Sequence, residues 1–201
     1  MPWTLFSTRN ETVQIARGGW LDALRAPILH YKICSTFDSS PDSGSIGAAI
    51  EIGLRVRPAK AVPLLTAAPQ MRRYQAFGHL FAGTLDGVFR LDRHPVMSRH
   101  PVTPMSESDL LRHLSTQTDL PSALIDLEVL ADPQALQAAL ATGARILSID
   151  SMEPASETAA GRLIWENRAD LGFVAGSQGV EYALVRHWQD SGTIPRVDAP
   201  G

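Results

Sequence analysis

Short apolar runs alternate with amphipathic stretches along most of this chain. The apolar runs are rich in β-branched residues and are bounded by glycine, proline, serine or aspartate, which is typical of strands. The amphipathic stretches place apolar residues three and four positions apart, which is typical of helices. We predict strands at Ile28–Cys34, 61–68, Gly87–Asp92, 122–130, Ala144–Asp150 and Leu171–Gly176. We predict helices at Glu11–Leu24, Ser156–Arg168 and Gly179–Gln189, from Ser43 or Ser45 to Val56, from Ser106 through Leu114, and from Pro133 to Gly143.

This alternation predicts an α/β fold, namely a three-layer sandwich with a mostly parallel sheet. Residues 68–83 show no regular period, and we predict a loop with some turn there. Residues 1–190 are predicted to form one domain. Residues 191–201 contain the Ser, Gly and Pro typical of a tail or linker.

The composition excludes several classes of protein. The 201 residues are 44% hydrophobic and 19% charged, with a formal net charge of −3. A packed core is therefore feasible, and neither nucleic acid nor a membrane is an expected partner. The one cysteine, Cys34, excludes an internal disulfide and falls in a predicted buried strand, which predicts an inert thiol. No apolar run reaches the ~18 residues of a transmembrane helix and no signal-peptide pattern is present, so we expect a cytoplasmic protein.

The most polar and glycine-rich loops follow the predicted strands. They come after Cys34, Ala67, Asp92 and Gly176. In open α/β sheets, ligands bind outside the carboxyl ends of the strands. This coincidence predicts a ligand site formed by these loops.

Two of these loops lead into a predicted helix N-terminus. The stretch KICSTFDSSPDSGSIG offers Lys32 and several hydroxyls before one helix, and the stretch GSQG, residues 176–179, precedes another. The free N–H groups of a helix N-terminus bind anions well. The same stretches are also typical of capped helices after ordinary turns, and the residues alone leave both interpretations open.

The loop after Asp92 contains Arg-His-Pro-Val twice, at Arg93–Val96 and at Arg99–Val102. Proline disfavours the α region at the residue before it, so this double His-Pro loop is predicted to be rigid and non-helical. Its arginines and histidines are suited to a carboxylate or a phosphate. The alternative is a loop whose arginines pair with the protein's own carboxylates. A metal site would need more ligands, and only Asp92 is near in sequence, so no metal is predicted.

Five stretches in and around these loops resemble one known family. They are YKICSTFDSSPDSGSIGAAIEIG, APQMRRYQAFGHLFAG, FRLDRHPVMSRHPVTPM, LLRHLSTQT and GSQGVEYAL, and the similarity runs from about Arg9 to Trp188. The chain resembles the N-terminal domain of the four-carbon acid sugar kinases, formerly a domain of unknown function or a Hrp-dependent type III effector. The resemblance implies a kinase of two α/β domains. The N-terminal domain binds an acid sugar such as threonate, erythronate or a 3-oxo-tetronate, and the C-terminal domain binds ATP and Mg²⁺.

The resemblance also implies a set of site residues. Polar residues of the first loop would bind sugar hydroxyls, and the arginines and histidines of the double His-Pro loop would bind carboxylate or phosphoryl oxygens. The implied substrate-binding residues are Lys32, Ser35, Asp38, Ser39, Arg73, Arg93, His94, Arg99 and His100. Gly176, Ser177 and Gly179 would lie near the phosphate.

The chain departs from the family pattern in several places. The family's first strand and its Asp-Asp-Phe-Thr-Gly type motif are absent from the start, and Arg72, His79 and Gln178 replace a Gly, an Asn and a Ser. The ATP-binding half has no counterpart before Gly201. We therefore expect an incomplete kinase that is catalytic only with a nucleotide-binding domain, supplied by a partner chain or by a longer chain, or else a non-catalytic remnant or effector-like interaction protein. A homodimer is a further alternative, and no general base is assigned.

Overall fold

The computed structural model describes residues 5–6 and 26–196, and a parallel sheet forms its centre. Five of its strands have four residues each, namely β2 (Leu29–Lys32), β3 (Val62–Leu65), β7 (Ser122–Ile125), β8 (Ile146–Ile149) and β9 (Phe173–Gly176). They lie in the spatial order β2-β9-β3-β8-β7, and all neighbouring strands are parallel.

A two-residue strand, β1 (Leu5–Phe6), extends this sheet beside β2. It pairs in parallel with His30 and Tyr31. The sequence predicted no strand before Ile28, so this pairing is a correction. The predicted helix at Glu11–Leu24 lies outside the described residues.

Helices cover both faces of the sheet. On one face lie α1 (Ile46–Val56) and α2 (Leu110–Leu114). On the other lie α3 (Ala135–Ala141), α4 (Pro154–Glu166) and α5 (Gly179–Asp190). Because successive side chains of a strand point to opposite faces, Leu64 joins one core cluster and Leu65 joins the other. The predicted three-layer α/β sandwich is confirmed.

The segment predicted as a loop, 68–83, instead contributes two strands of a second, antiparallel sheet. The strands of this second sheet are β4 (Arg73–Ala76), β5 (His79–Thr84) and β6 (Gly87–Arg90). The turn between β4 and β5 is Phe77–Gly78, with φ of +48° and +79°. Two-residue hairpin turns of this type favour Asn-Gly or Asp-Gly. A phenylalanine in the first position hides that signal, and its side chain is 55% exposed.

Helix α2 begins later than predicted. Its N-cap is Asp109, whose Oδ1 accepts hydrogen bonds from the backbone N–H groups of Leu111 (3.0 Å) and Arg112 (3.1 Å). Ser106 therefore does not cap it. The preceding residues run beside β5 instead, where the N–H of Leu80 donates to the carbonyl of Ser108 (2.9 Å).

Cys34 is exposed, so the prediction of a buried thiol was wrong. Strand β2 ends at Lys32, and Cys34 lies in the loop beyond it. The other predicted elements are confirmed with shifted ends. Trp165 and Trp188 pack at the core, with ring centroids 4.9 Å apart. In the part of the chain that the structure describes, no helix has the length and apolar character needed to cross a membrane.

Candidate functional site

At the carboxyl edge of the parallel sheet the strand connections diverge beside β9, and we call the region between them the crevice. After β9 the chain turns to α5 on one face, whereas after β2 and β3 it turns to the opposite face. Neighbouring strands whose connections diverge leave an opening, which is where open α/β sheets bind ligands. The crevice is bordered by the loops 33–45 after β2, 66–72 after β3 and 177–178 after β9.

The loop after β2 brings polar side chains to this edge, and most of them are buried or hydrogen-bonded within the protein. Lys32 Nζ donates to the carbonyl of the next residue (2.8 Å). Ser35 and Ser39 are buried, and Ser39 Oγ donates to the carbonyl of Phe37 (3.0 Å). Asp38 differs, because its Oδ1 is enclosed and has no donor among the described residues. Asp38 therefore keeps an unused acceptor at the crevice.

Gln117 closes the N-terminus of α1. Its Oε1 accepts from the backbone N–H groups of Ile46 (2.8 Å) and Gly47 (3.2 Å), and its Nε2 donates to Ser39 Oγ (2.8 Å). The donors that an anion would need are thus already occupied. This geometry favours the capped-helix interpretation of the stretch.

We expect the Gln117→Ala variant to lower the free energy of unfolding by about 1–2 kcal/mol, because it removes a helix cap and leaves backbone donors without a partner. Urea denaturation of the purified chain measures this loss. Gln137→Ala, at an exposed position of α3, is the matched control and should change little. Equal losses in the two variants would contradict the capping role.

The turn between β9 and α5 is tightly packed. Ser177 is fully buried, and its Oγ accepts from the N–H of Gly179 (3.0 Å). A Cβ placed on Gly179 would overlap the carbonyl oxygen of Ala67, so only glycine allows this approach. The carbonyl of Gly176 accepts from the ring Nε2 of His30 (3.0 Å). The turn therefore joins the loops after β9 and β3, and its polar groups are largely engaged within the protein.

A buried carboxylate locks the antiparallel sheet to β8. Asp150 follows β8 and is 0% exposed. Its Oδ1 accepts from the N–H of Gly78 (3.1 Å) and from Gln75 Nε2 (3.1 Å), and its Oδ2 accepts from the N–H of Phe77 (2.5 Å). Burial raises the pKa of Asp150, and these hydrogen bonds oppose the rise. One carboxylate thus holds the hairpin turn against the carboxyl edge.

The antiparallel sheet brings Arg73 and His94 close together. The N–H of Ala68, in the loop after β3, donates to the carbonyl of Arg73 (2.9 Å). His94 is buried, and its pKa is lowered by burial and by the nearby positive charge of Arg73. Arg73 Nη1 donates to the carbonyl of Met71 (3.1 Å), whereas its Nε is buried without an acceptor among the described residues. The two predicted residues therefore meet beside the loop after β3.

The double His-Pro loop leaves β6, a strand of the second sheet. The prediction that it follows a strand of the parallel sheet was therefore wrong. Arg93 and Arg99 are exposed, and neither pairs with a carboxylate within residues 26–196. The neighbouring carboxylate, Asp92, pairs with Arg90 instead (2.6 Å). His100 is partly buried at the end of the second 3₁₀ turn of the loop.

Buried polar atoms without a partner concentrate at this edge. Most such atoms in the described residues lie just after β2, β3, β8 or β9, or on β4. They are Asp38 Oδ1, Thr66 Oγ1, Ser151 Oγ, Gln178 Oε1, Arg73 Nε and Gln75 Oε1. Buried polar groups in proteins are nearly always hydrogen-bonded. The unpaired buried polar atoms of the described residues are thus mostly found at this edge.

Sequence analysis missed four residues of this region: Thr66, Gln75, Gln117 and Asp150. Thr66 and Asp150 lie in the carboxyl-terminal parts of the predicted strands 61–68 and Ala144–Asp150, so the carboxyl-end rule applied to the last residues of every strand would have found them. Gln75 lies in the segment predicted as a loop. Gln117 acts on a helix 70 residues away in sequence, and no local pattern reveals such a contact.

The fold and the polar edge define an α/β domain of the kind that binds small molecules at the carboxyl ends of its strands. The sequence model of a family described as the sugar-binding N-terminal domain matches residues 8–184. The chain belongs to this family, and its resemblance to the acid sugar kinases is confirmed.

Curated relatives are similar over most of this chain. A 3-oxo-isoapionate kinase of Paraburkholderia graminis is 50% identical over 87% of the chain. A 3-oxo-tetronate kinase of Methylobacterium radiotolerans is 33% identical over 90% of it. The chain spans 38% and 42% of the length of these two relatives.

Solved structures share the fold. A Haemophilus influenzae protein of the family DUF1537 superposes with a TM-score of 0.77 at 22% identity, over 97% of this chain and 47% of that one. A DUF1537 protein of Bordetella bronchiseptica, described as a domain-swapped dimer with bound citrate, gives a TM-score of 0.64 at 21% identity, over 90% of this chain and 42% of that one. These likenesses support the α/β fold.

Proposed function

We propose that this chain is the acid-sugar-binding domain of an ATP-dependent sugar-acid kinase. The observation that carries the proposal is the set of unpaired buried polar atoms at the crevice beside β9. The kinase relatives that cover most of the chain support the acid-sugar class. The ligand would be a threonate, an erythronate, a 3-oxo-tetronate or a 3-oxo-isoapionate.

The crevice offers two kinds of partner for such a ligand. Positive charge comes from Arg73, Arg93 and Arg99, and guanidinium groups bind carboxylates well. Unused acceptors come from Asp38 Oδ1 and Gln178 Oε1. We assign the ligand's carboxylate to the arginine side and its hydroxyls to the acceptors. Lys32, Ser35, Ser39, Ser177 and the two glycines would shape the pocket, because their polar groups are engaged or buried within the protein.

ATP and Mg²⁺ belong to the proposed whole enzyme. Within residues 5–6 and 26–196, no three His, Cys, Asp or Glu side chains come together as metal ligands. The tightly packed β9–α5 turn likewise offers no open phosphate cradle. The described residues do not fit the nucleotide, so we derive no phosphoryl-transfer step on this chain. A separate nucleotide-binding domain, on this or another chain, would complete the enzyme.

A thermal melt with and without acid sugars tests the proposal. A ligand that binds only the folded state adds about 2.7 kcal/mol of stability at a hundredfold excess over Kd, which raises the Tm. The panel is threonate, erythronate, 3-oxo-tetronate and 3-oxo-isoapionate. Erythritol, which lacks the carboxylate, and butyrate, which lacks the hydroxyls, are the control compounds. We expect a rise with an acid sugar and none with either control compound.

Variants link the rise in Tm to the crevice. We expect Asp38→Ala and Arg93→Ala to abolish the ligand-induced rise while the melt stays cooperative. Arg55→Ala and Asp119→Ala, at exposed positions away from the crevice, should keep it. A cooperative melt that no acid sugar shifts would overturn the proposal and favour the non-catalytic interaction protein.

A further inference from the structure

Both histidines of the double His-Pro loop make the same contact with the backbone. The ring Nδ1 of His94 accepts hydrogen bonds from the N–H groups of Val96 and Met97, both at 3.2 Å. The ring Nδ1 of His100 accepts from the N–H of Thr103 (3.0 Å). Each His-Pro step is thus followed by a turn whose amides point back to the preceding imidazole. The repeated sequence encodes a repeated histidine-capped turn.

This contact determines the protonation state of the ring. A backbone N–H is a donor only, so Nδ1 must present its lone pair. A neutral imidazole carries one proton, which then lies on Nε2. The imidazolium form would place a second donor against two backbone donors, and is therefore disfavoured at His94. Burial and the adjacent Arg73 charge act in the same direction, because both lower the pKa of His94.

The second ring nitrogen of His94 is not used by the protein. No described residue accepts a hydrogen bond from Nε2, and Nε2 is not among the enclosed atoms that lack a partner. The ring of Phe89 packs edge-on against His94 at a centroid distance of 6.3 Å and holds its plane. Arg73, whose Nε is also unpaired, lies nearby.

We propose that His94 is a neutral donor locked in the Nε2–H tautomer, which binds an anionic oxygen of the ligand beside Arg73. The ligand half of this inference rests on the proposed acid-sugar function. The two ring nitrogens have separate roles: Nδ1 holds the loop and Nε2 holds the ligand. His94 is therefore a binding residue and not the general base of a kinase reaction, because its basic nitrogen is occupied by the backbone.

The tautomer is tested without any ligand. Long-range ¹H–¹⁵N spectra of the histidine rings distinguish the Nε2–H tautomer, the Nδ1–H tautomer and the imidazolium ion. At pH 7 we expect His94 in the Nε2–H form, identified by the loss of its signals in His94→Gln. An Nδ1–H or imidazolium pattern would overturn the assignment, whatever the chain binds.

Two substitutions separate the roles of the nitrogens. In His94→Asn the amide oxygen takes the place of Nδ1, so the loop cap is kept and the Nε2 donor is lost. In His94→Gln the amide nitrogen takes the place of Nε2, so the donor is kept and the cap is lost. We expect His94→Asn to keep the wild-type Tm and to bind the acid sugar about 10- to 100-fold more weakly, the usual effect of one hydrogen bond to a charged group. We expect His94→Gln to lower the Tm.

Each result of these experiments tests a different part of the proposal. Wild-type affinity for the acid sugar in His94→Asn would overturn the ligand role of Nε2. An unchanged Tm in His94→Gln would overturn the loop role of Nδ1. If wild-type protein binds none of threonate, erythronate, 3-oxo-tetronate or 3-oxo-isoapionate, the proposed function and the ligand role both fail, while the ring spectra still decide the tautomer.

Discussion

Asp150→Ala is expected to be among the most destabilising single substitutions in this chain. It leaves the N–H groups of Phe77 and Gly78 and one donor of Gln75 without their acceptor, in a fully buried position. Each unsatisfied buried donor costs about 1–3 kcal/mol, so we expect a loss of about 3–5 kcal/mol in the free energy of unfolding. Since small domains have only about 5–15 kcal/mol in total, the variant should be close to unfolding at 37 °C.

Urea denaturation followed by circular dichroism measures this effect through the midpoint concentration. Asp132→Ala is the matched control, since its exposed carboxylate accepts, within residues 26–196, only from the N–H of Gln134 (2.8 Å). We expect the control to lose less than about 1 kcal/mol. Similar losses in both variants would show that the hairpin turn does not depend on Asp150.

Gly179→Ala is expected to have the second large effect, on stability and on the crevice together. The added methyl group would overlap the backbone carbonyl of Ala67, which cannot rotate away as a flexible side chain does. Helix α5 must move away from the loop after β3. Overpacking of this kind costs about 3 kcal/mol or more when backbone has to shift. The shift would also move Gln178 relative to the loop after β3, so any ligand-induced rise in Tm should disappear.

Val185→Ala on the same helix is the control for this prediction. Its side chain is 37% exposed, and alanine is a better helix former than valine, so the free energy of unfolding should change by no more than about 0.5 kcal/mol. A Gly179→Ala variant with wild-type stability would mean that α5 packs less closely on the loop after β3 than the structure places it.

The sequence predicted the parallel sheet well, because each of its strands is a short apolar run between turn residues. It failed where local signals are weak. The β4–β5 hairpin has a Phe-Gly turn in place of Asn-Gly, and the carboxylate of Asp150, more than 70 residues away, supplies the stabilisation that the turn lacks. Arg72 is a second position where the residue type hides the backbone conformation. It stands where the family resemblance expects glycine, and its φ is +56°, a backbone conformation that glycine adopts without strain.

The candidate site was also predicted only in part from the sequence. The prediction that polar loops gather at the carboxyl ends of strands is a consequence of parallel topology, and it located the crevice. Which polar atoms remain available could not be predicted, since that depends on partners distant in sequence. Ser39 is engaged by Gln117, whereas its neighbour Asp38 keeps an unpaired oxygen.

The sequence by itself determined the α/β class, the family and the polar loops that follow the strands, because strand and helix periods and turn residues are local properties. Only the tertiary structure decided that a second sheet carries Arg73 beside the loop after β3, and that the ring Nδ1 of His94 accepts from the backbone. The physical reason is that hydrogen-bond saturation is a property of the packed chain. A side chain can bind a ligand through its polar atoms only if no distant residue already forms hydrogen bonds with them.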